Sequence, residues 1–197
     1  MALAILVGPT AARADPLAGF SPEGNLIVVV ADGGGLSVWA VETRSKIDGA
    51  NAPVIEWKSV SLSADGGLAA ALALDAAKQV KLVIWDRGSK AVRVFNAPFA
   101  NSRSSFFDTP LWQPHGNRLI LRRGSGEPAY LVDAADGKVL AAIEGPIDNP
   151  FSPDGKYLIS KSADGRSLLL HDAATGVTER TIAAPMRIRD ARFVSDG

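Results

Sequence analysis

His115 and His171 are the only imidazoles in the chain, and there is no cysteine. Zero Cys removes disulfides, thiol catalysis and thiolate metal sites. The two histidines stand far apart without metal-ligand spacing, so both read as structural. No base lies beside a serine in the way a nucleophile pair requires. Gly33-Gly34-Gly35 lacks the Lys-Ser/Thr ending and the helix of a phosphate loop, and reads as a hairpin loop.

An acidic series is the next candidate. Asp15, Glu56, Asp108, Asp148 and Asp190 each precede a recurring turn by three to six residues, and Asn149 adds a carbonyl beside Asp148. Converging carboxylates of this kind bind Ca²⁺, which takes about six to eight oxygens. The offsets differ, however, and a one-residue change turns a strand side chain to the other face. The series therefore reads as polar strand starts in a solvated channel, with no metal and no cofactor expected.

Partner binding is the remaining chemistry. The longest loop, Ala97 to Thr109, carries Asn101, Arg103, Phe106 and Phe107. Arg and aromatic residues are enriched at protein-binding hot spots. Lys78, Arg123 and Arg166 fall in shorter loops expected to open on the same side. The candidate partner-binding residues are thus Asn101, Arg103, Phe106, Lys78, Arg123 and Arg166, while Phe107 reads as packing beneath its loop. The four tryptophans, Trp39, Trp57, Trp85 and Trp112, recur at strand positions and read as core.

The elements that hold these residues are set by an internal repeat. Five segments align: Phe20-Ser21-Pro22-Glu23-Gly24, Leu62-Ser63-Ala64-Asp65-Gly66, Trp112-Gln113-Pro114-His115-Gly116, Phe151-Ser152-Pro153-Asp154-Gly155 and Phe193-Val194-Ser195-Asp196-Gly197. Their last glycines are 42, 50, 39 and 42 residues apart. A period of about 40–45 residues belongs to units of four strands. In each copy a turn with Pro or Asp and Gly ends one strand. An apolar strand follows, then a hairpin, then a third strand closing on Val38-Trp39, Ile84-Trp85-Asp86, Val132-Asp133 or Leu170-His171-Asp172. A fourth strand completes the unit, and no stretch carries a capped helical stripe.

The recurring F-S-P-D-G turn together with Trp85-Asp86 resembles the WD40-type β-propeller family in its loose bacterial form, over about Asp15 to Gly197. Asp133 and Asp172 keep the acid of the W-D pair without the Trp, and the Gly-His pair of that family is absent from every copy. Apolar packing between blades must then hold the units together. Quinoprotein-like and YVTN-type propellers are the related labels. The expected fold is all-β: a partial β-propeller of four four-stranded antiparallel blades plus the first strand of a fifth. Propellers close with about 4–8 blades, and an open array exposes a face at each end. The remaining blades are therefore expected to be missing from this chain, with a closed four-blade ring as the alternative.

Charge and length narrow the function. The chain of 197 residues has 21 Lys+Arg against 21 Asp+Glu and 47 % apolar residues. A zero net charge argues against nucleic-acid binding, which needs a basic surplus. No apolar run reaches the roughly 18 residues of a membrane span. Residues 1–14 have two readings. Ala2 to Val7 followed by Ala12-Arg13-Ala14 has the form of a signal peptide and cleavage site, though no Lys or Arg precedes it. The same stretch resembles Leu140 to Pro146, which gives the alternative reading as the closing strand of a preceding blade. The first reading places the protein in the periplasm or outside the cell, the second in the cytoplasm. The resemblance implies a noncatalytic scaffold binding a protein or peptide through rim loops. The alternatives are a lactonase-like or quinoprotein-like propeller enzyme whose site missing blades complete, or the sensor domain of a larger signalling protein.

Overall fold

The computed structural model describes residues 17–30, 35–99, 108–123 and 128–194, with backbone only for 146–149. The described residues form sixteen strands and no helix. Blade 1 consists of β1 (Ala18–Phe20), β2 (Leu26–Val30), β3 (Gly35–Ala40) and β4 (Ser45–Asn51). Blade 2 consists of β5 (Glu56–Leu62), β6 (Leu68–Leu74), β7 (Val80–Asp86) and β8 (Val92–Asn96). Blade 3 is β9 (Leu111–Trp112), β10 (Arg118–Leu121), β11 (Ala129–Asp133) and β12 (Val139–Ile143). Blade 4 is β13 (Pro146–Phe151), β14 (Tyr157–Lys161), β15 (Ser167–Asp172) and β16 (Thr178–Ala183). Each blade is an antiparallel meander in chain order, because short turns can join only neighbouring antiparallel strands.

The turns are built by their side chains. Ser21, Ser63 and Ser152 each accept, at Oγ, the amide of the residue that starts the second strand, at 3.1, 2.9 and 2.9 Å. Gly24, Gly66 and Gly155 take positive φ there, which costs glycine nothing sterically. Asp65 and Asp154 accept the serine hydroxyls, and this bond holds both carboxyls below the usual carboxylate range. At the next turn the acid of the W-D position folds back on the chain. Asp133 accepts Ala135 N at 2.8 Å, and Asp172 accepts Thr175 N at 2.8 Å. The acid thus persists where the Trp does not, because it shapes the turn.

Successive side chains of a strand point to opposite faces, and β6 shows the result. Ala69, Ala71 and Ala73 join a core with Val28, Val30, Leu36 and Val38 of blade 1. Ala70 and Leu72 join a different core with Leu119, Leu121 and Val132 of blade 3. A third core packs Ile120, Leu131 and Ile143 of blade 3 on Phe151, Leu158 and Ala173 of blade 4. Each blade therefore has a leading face toward the blade before it and a trailing face toward the blade after it. Three seams hold the four blades, and among the described residues no apolar cluster joins blade 4 to blade 1. The first strands lie innermost, with β1 beside β5 and β5 beside β9.

The four expected four-stranded antiparallel units are present, each in chain order. Beyond β16, residues 184–194 carry no strand. The fifth first-strand expected there is therefore not formed among the described residues: 190–194 carry no strand. Residues 1–16, which hold both N-terminal readings, and Ser195–Gly197 lie outside the described residues. No helix of the described residues is long and apolar enough to cross a membrane.

Candidate functional site

The seam of blades 3 and 4 opens at the rim into a cleft of about 320 Å³. It lies where the first-to-second-strand turns and third-to-fourth-strand turns emerge. Gln113, Pro114 and His115 form one wall; Asp154, Lys156, Tyr157, Asp172 and Glu179 form the other. Blade 3 differs locally from its neighbours. Gln113 replaces the turn serine, and its amide crosses the seam to donate to the Gly155 carbonyl at 2.7 Å. His115 takes φ 56°, a left-handed conformation in which His is enriched among non-glycine residues. The carboxylates of the opposite wall are fixed. Hydroxyls of Ser152 and Thr175 hold Asp154 and Asp172 below the usual carboxylate range. Lys156 sits 3.4 Å from Asp154. The cleft therefore presents three carboxylates beside Lys156, with Arg118 held at its edge by the Ala174 carbonyl at 3.0 Å, a balance acidic by one charge that favours a cationic guest.

His171 has no part in this site. It stands opposite Leu158, at the third-strand position that Trp39 and Trp85 hold opposite Ile27 and Ala69. Its Nε2 pairs with Ser160 Oγ at 2.9 Å and its Nδ1 with Thr178 Oγ1 at 3.1 Å. Both ring nitrogens are used inside the third seam. Burial pushes its pKa below the ordinary imidazole value. Trp39 similarly donates to Ser37 Oγ at 3.0 Å, whereas the buried Trp85 indole N–H has no acceptor.

The expected partner-binding residues divide. Asn101, Arg103 and Phe106, with Phe107, lie outside the described residues. Lys78 and Arg166 are exposed in the second-to-third-strand loops of blades 2 and 4, at the rim opposite the cleft. Arg123 is only 6 % exposed, so its side chain adds little to that rim. In the acidic series, Glu56 is bound by Lys58 at 2.5 Å and Lys78 at 3.5 Å. Asp108 pairs with Arg122 at 3.2 Å, and Asp190 accepts the amide of Ala191. Asp15 and the Asp148 and Asn149 side chains lie outside the described residues. Among the described residues no three His, Asp or Glu side chains gather as a metal group.

The cleft itself escaped the sequence reading. Its one visible signal was blade 3's departure from the turn pattern, with Gln113 for Ser and His115 for an acid.

Repeated four-stranded meanders, innermost first strands and apolar seams define a propeller-like, all-β protein. Neither a family model nor a curated protein matches the chain. Among solved structures 1107 chains match. One of them, titled Dihydro-heme d1 dehydrogenase NirN in complex with DHE, superposes with a TM-score of 0.51 at 20 % identity. The match covers 89 % of this chain and 38 % of that one. At that identity the likeness bears on the fold, and this chain spans well under half of that relative's length.

Proposed function

We propose that this chain is a noncatalytic propeller scaffold of WD40 type that binds a protein or peptide partner through its rim. Trp85-Asp86 and the recurring serine-capped turns support the WD40 label. The observation that carries the binding role is the rim cleft at the seam of blades 3 and 4. Its fixed Asp154 and Asp172 carboxylates, with Glu179 beside them, suit a Lys or Arg side chain of a bound segment. Lys78 and Arg166, exposed at the opposite rim, are candidates for a second contact surface, together with the sequence candidates Asn101, Arg103 and Phe106.

Fluorescence anisotropy with a labelled arginine-containing peptide library tests this. Glu179→Lys should weaken the best peptide about tenfold, equivalent to about 1.4 kcal/mol. Equal binding by the variant would sink the cleft as the site.

A second reading follows from the solved relative, which is a dehydrogenase by its title. It makes this chain part of a propeller enzyme whose site other blades complete. His171 is engaged on both nitrogens, so of the two imidazoles only His115 faces a cleft. Titration with haem, read by its absorbance, separates the readings: a spectral shift lost in His115→Ala would favour the enzyme. Location follows the N-terminus. Mature protein that begins at Asp15 by mass spectrometry would place it beyond the cytoplasmic membrane, and retained Met1–Ala14 in the cytoplasm.

A further inference from the structure

We propose that His171 is a proton-sensitive latch: it holds the turn 173–177, part of the blade 4 wall of the rim cleft, against blade 3, and its protonation frees that wall.

The ring lies just beneath the cleft. It is 4 % exposed, and its partner Ser160 is fully buried. Its chain neighbour Asp172 lines the cleft, as does Glu179, which follows the ring's other partner, Thr178. The turn runs between them and is braced internally. The Asp172 amide donates to the Val177 carbonyl and the Gly176 amide to the Asp172 carbonyl. The Asp172 carboxylate accepts Ala174 N and Thr175 N at 3.0 and 2.8 Å. Such a turn moves as one piece.

It is tied down at several points. Ala173 is fully buried in the third seam, and its amide donates to the Lys156 carbonyl. Arg118 of blade 3 donates to the Ala174 carbonyl at 3.0 Å. Gly176 lies against Ala141 of blade 3, so closely that a Cβ there would come within 2.2 Å of it. The last tie is the bond between His171 Nδ1 and Thr178 Oγ1 at 3.1 Å. Of these ties only the imidazole takes up a proton near neutral pH. Trp39, Trp85 and Val132 hold the equivalent place in the other blades.

A neutral imidazole offers one donor and one acceptor, and two hydroxyls satisfy both by rotating. A cationic imidazole has two donors and no acceptor, so the hydroxyl that donated to it must turn away. The charge is then left in a dry seam, which is costly without a counter-charge. Leu158 and Ser160 of β14 share the ring's face, and Thr178 reaches it from β16. Across the seam blade 3 packs Ile120, Leu131 and Ile143 on that face. None of these carries a charge. The charged groups stand at the rim: Asp172 and Glu179 beside the turn, Asp154 and Lys156 on the adjacent turn, Arg118 and Asp133 of blade 3. Burial accordingly holds the ring below the ordinary imidazole pKa, with the Gly176 backbone acting the other way. Releasing the turn brings water to the ring and draws Asp172 and Glu179 away from Gln113 and His115. Asp154 and Asp172 titrate below 3.8, so their own charge is unchanged in the range where the imidazole responds. The consequence for binding rests on the cleft being the partner site proposed above: a bound segment loses its hold below about pH 6.5.

Hydrogen–deuterium exchange read by mass spectrometry tests the latch, on the full chain at about pH 7.5 and about pH 5.5, corrected for the intrinsic pH dependence of amide exchange. Amides 173–179 should open up to about tenfold more often at the lower pH, the limit set by an open-state imidazole of pKa about 6.5. The equivalent amides 134–140 of blade 3, where Val132 replaces the imidazole, should not change. His171→Gln and His171→Trp, the latter being the residue of blades 1 and 2, should each abolish the rise, and His115→Gln should keep it. No rise, an equal rise in 134–140, a rise that survives in a folded His171 variant, or one lost in His115→Gln overturns the latch. Anisotropy of a bound arginine peptide separates this inference from the reading it rests on. An affinity that stays constant while the turn opens would remove the cleft as the peptide site and leave the latch standing.

Discussion

Trp85 and Trp39 hold the same place in adjacent blades, opposite Ala69 and Ile27, and their surroundings differ. Blade 1 lies over Trp85 and leaves it 0 % exposed. Among the described residues no other blade lies over the face that carries Trp39, and its ring is half-buried. The same residue in the same strand is core in one case and surface in the other. Burial in this fold comes from the neighbouring sheet, so stability is a sum over seams more than over blades.

The largest expected effect follows directly. Trp85→Ala should cost about 3–5 kcal/mol, the range for deleting a buried aromatic ring, and urea unfolding monitored by circular dichroism would read it. Trp39→Ala should cost less, because its ring is only half-buried. Equal losses would break the comparison, since they would mean the blade interior and not the seam sets the cost.

A sharper pair isolates the seam from the backbone. Gly24 and Gly155 both sit at φ +71 in equivalent turns. A side chain in this left-handed region costs about 1–2 kcal/mol wherever it occurs. At Gly155 the added Cβ would also meet the Pro114 carbonyl at 2.2 Å, while at Gly24 it meets open space. Gly155→Ala should therefore destabilise by about 1–3 kcal/mol more than Gly24→Ala. Coincident melting curves for the two variants would show that the seam relaxes freely there.

The seams were legible in the sequence because their cause is local. The apolar run Leu68–Leu74 between turn residues and the spacing of the turn glycines suffice to give strands and their order. Of the first-strand acids, Glu56 and Asp108 are each tied to a nearby cation, a pairing their offsets from the turn did not signal. The cleft was not legible. It depends on Gln113 reaching across 42 residues to Gly155, a pairing that only the packing of two repeats creates. The burial of Arg123 was hidden for a related reason: a loop arginine reads as solvated until the packing around it is known. The partners of His171 were likewise hidden, because Ser160 and Thr178 reach it from the strands on either side.

His171 supplies a pH test of the third seam. Burial favours its neutral form, so its folded pKa lies below the ordinary value of about 6.5. Below that pH the unfolded chain binds the proton more readily than the folded one, and stability falls as pH falls. The loss should begin near pH 6.5. It should precede a second loss from Asp65, Asp154 and Asp164, whose folded pKa values are depressed below 3.8 by hydrogen bonds from Ser63, Ser152 and Ser162. Melting temperatures from pH 8 to 5 would record the first loss. His171→Gln should flatten that limb and leave the acid limb in place. A limb unchanged in the variant would assign the pH dependence elsewhere.

The smallest effect concerns the polar edge of the first seam. Lys90 and Arg87 of blade 2 both approach Asp48 of blade 1, and the Lys90 side chain is largely in water. Exposed pairs of this kind contribute about 0–1 kcal/mol and are screened by salt. Asp48 keeps the Arg87 guanidinium, at 3.7 Å, when Lys90 is removed, so the carboxylate is not left alone beside the apolar core. Lys90→Ala should then cost a few tenths of a kcal/mol (about 0.2–0.5) at low salt, and nothing measurable in about 1 M NaCl, where the screening length is about 3 Å. Charge at this edge would tune the contact between blades 1 and 2 without holding it. A loss approaching that of Trp85→Ala would instead place the strength of the seam in its ion pairs.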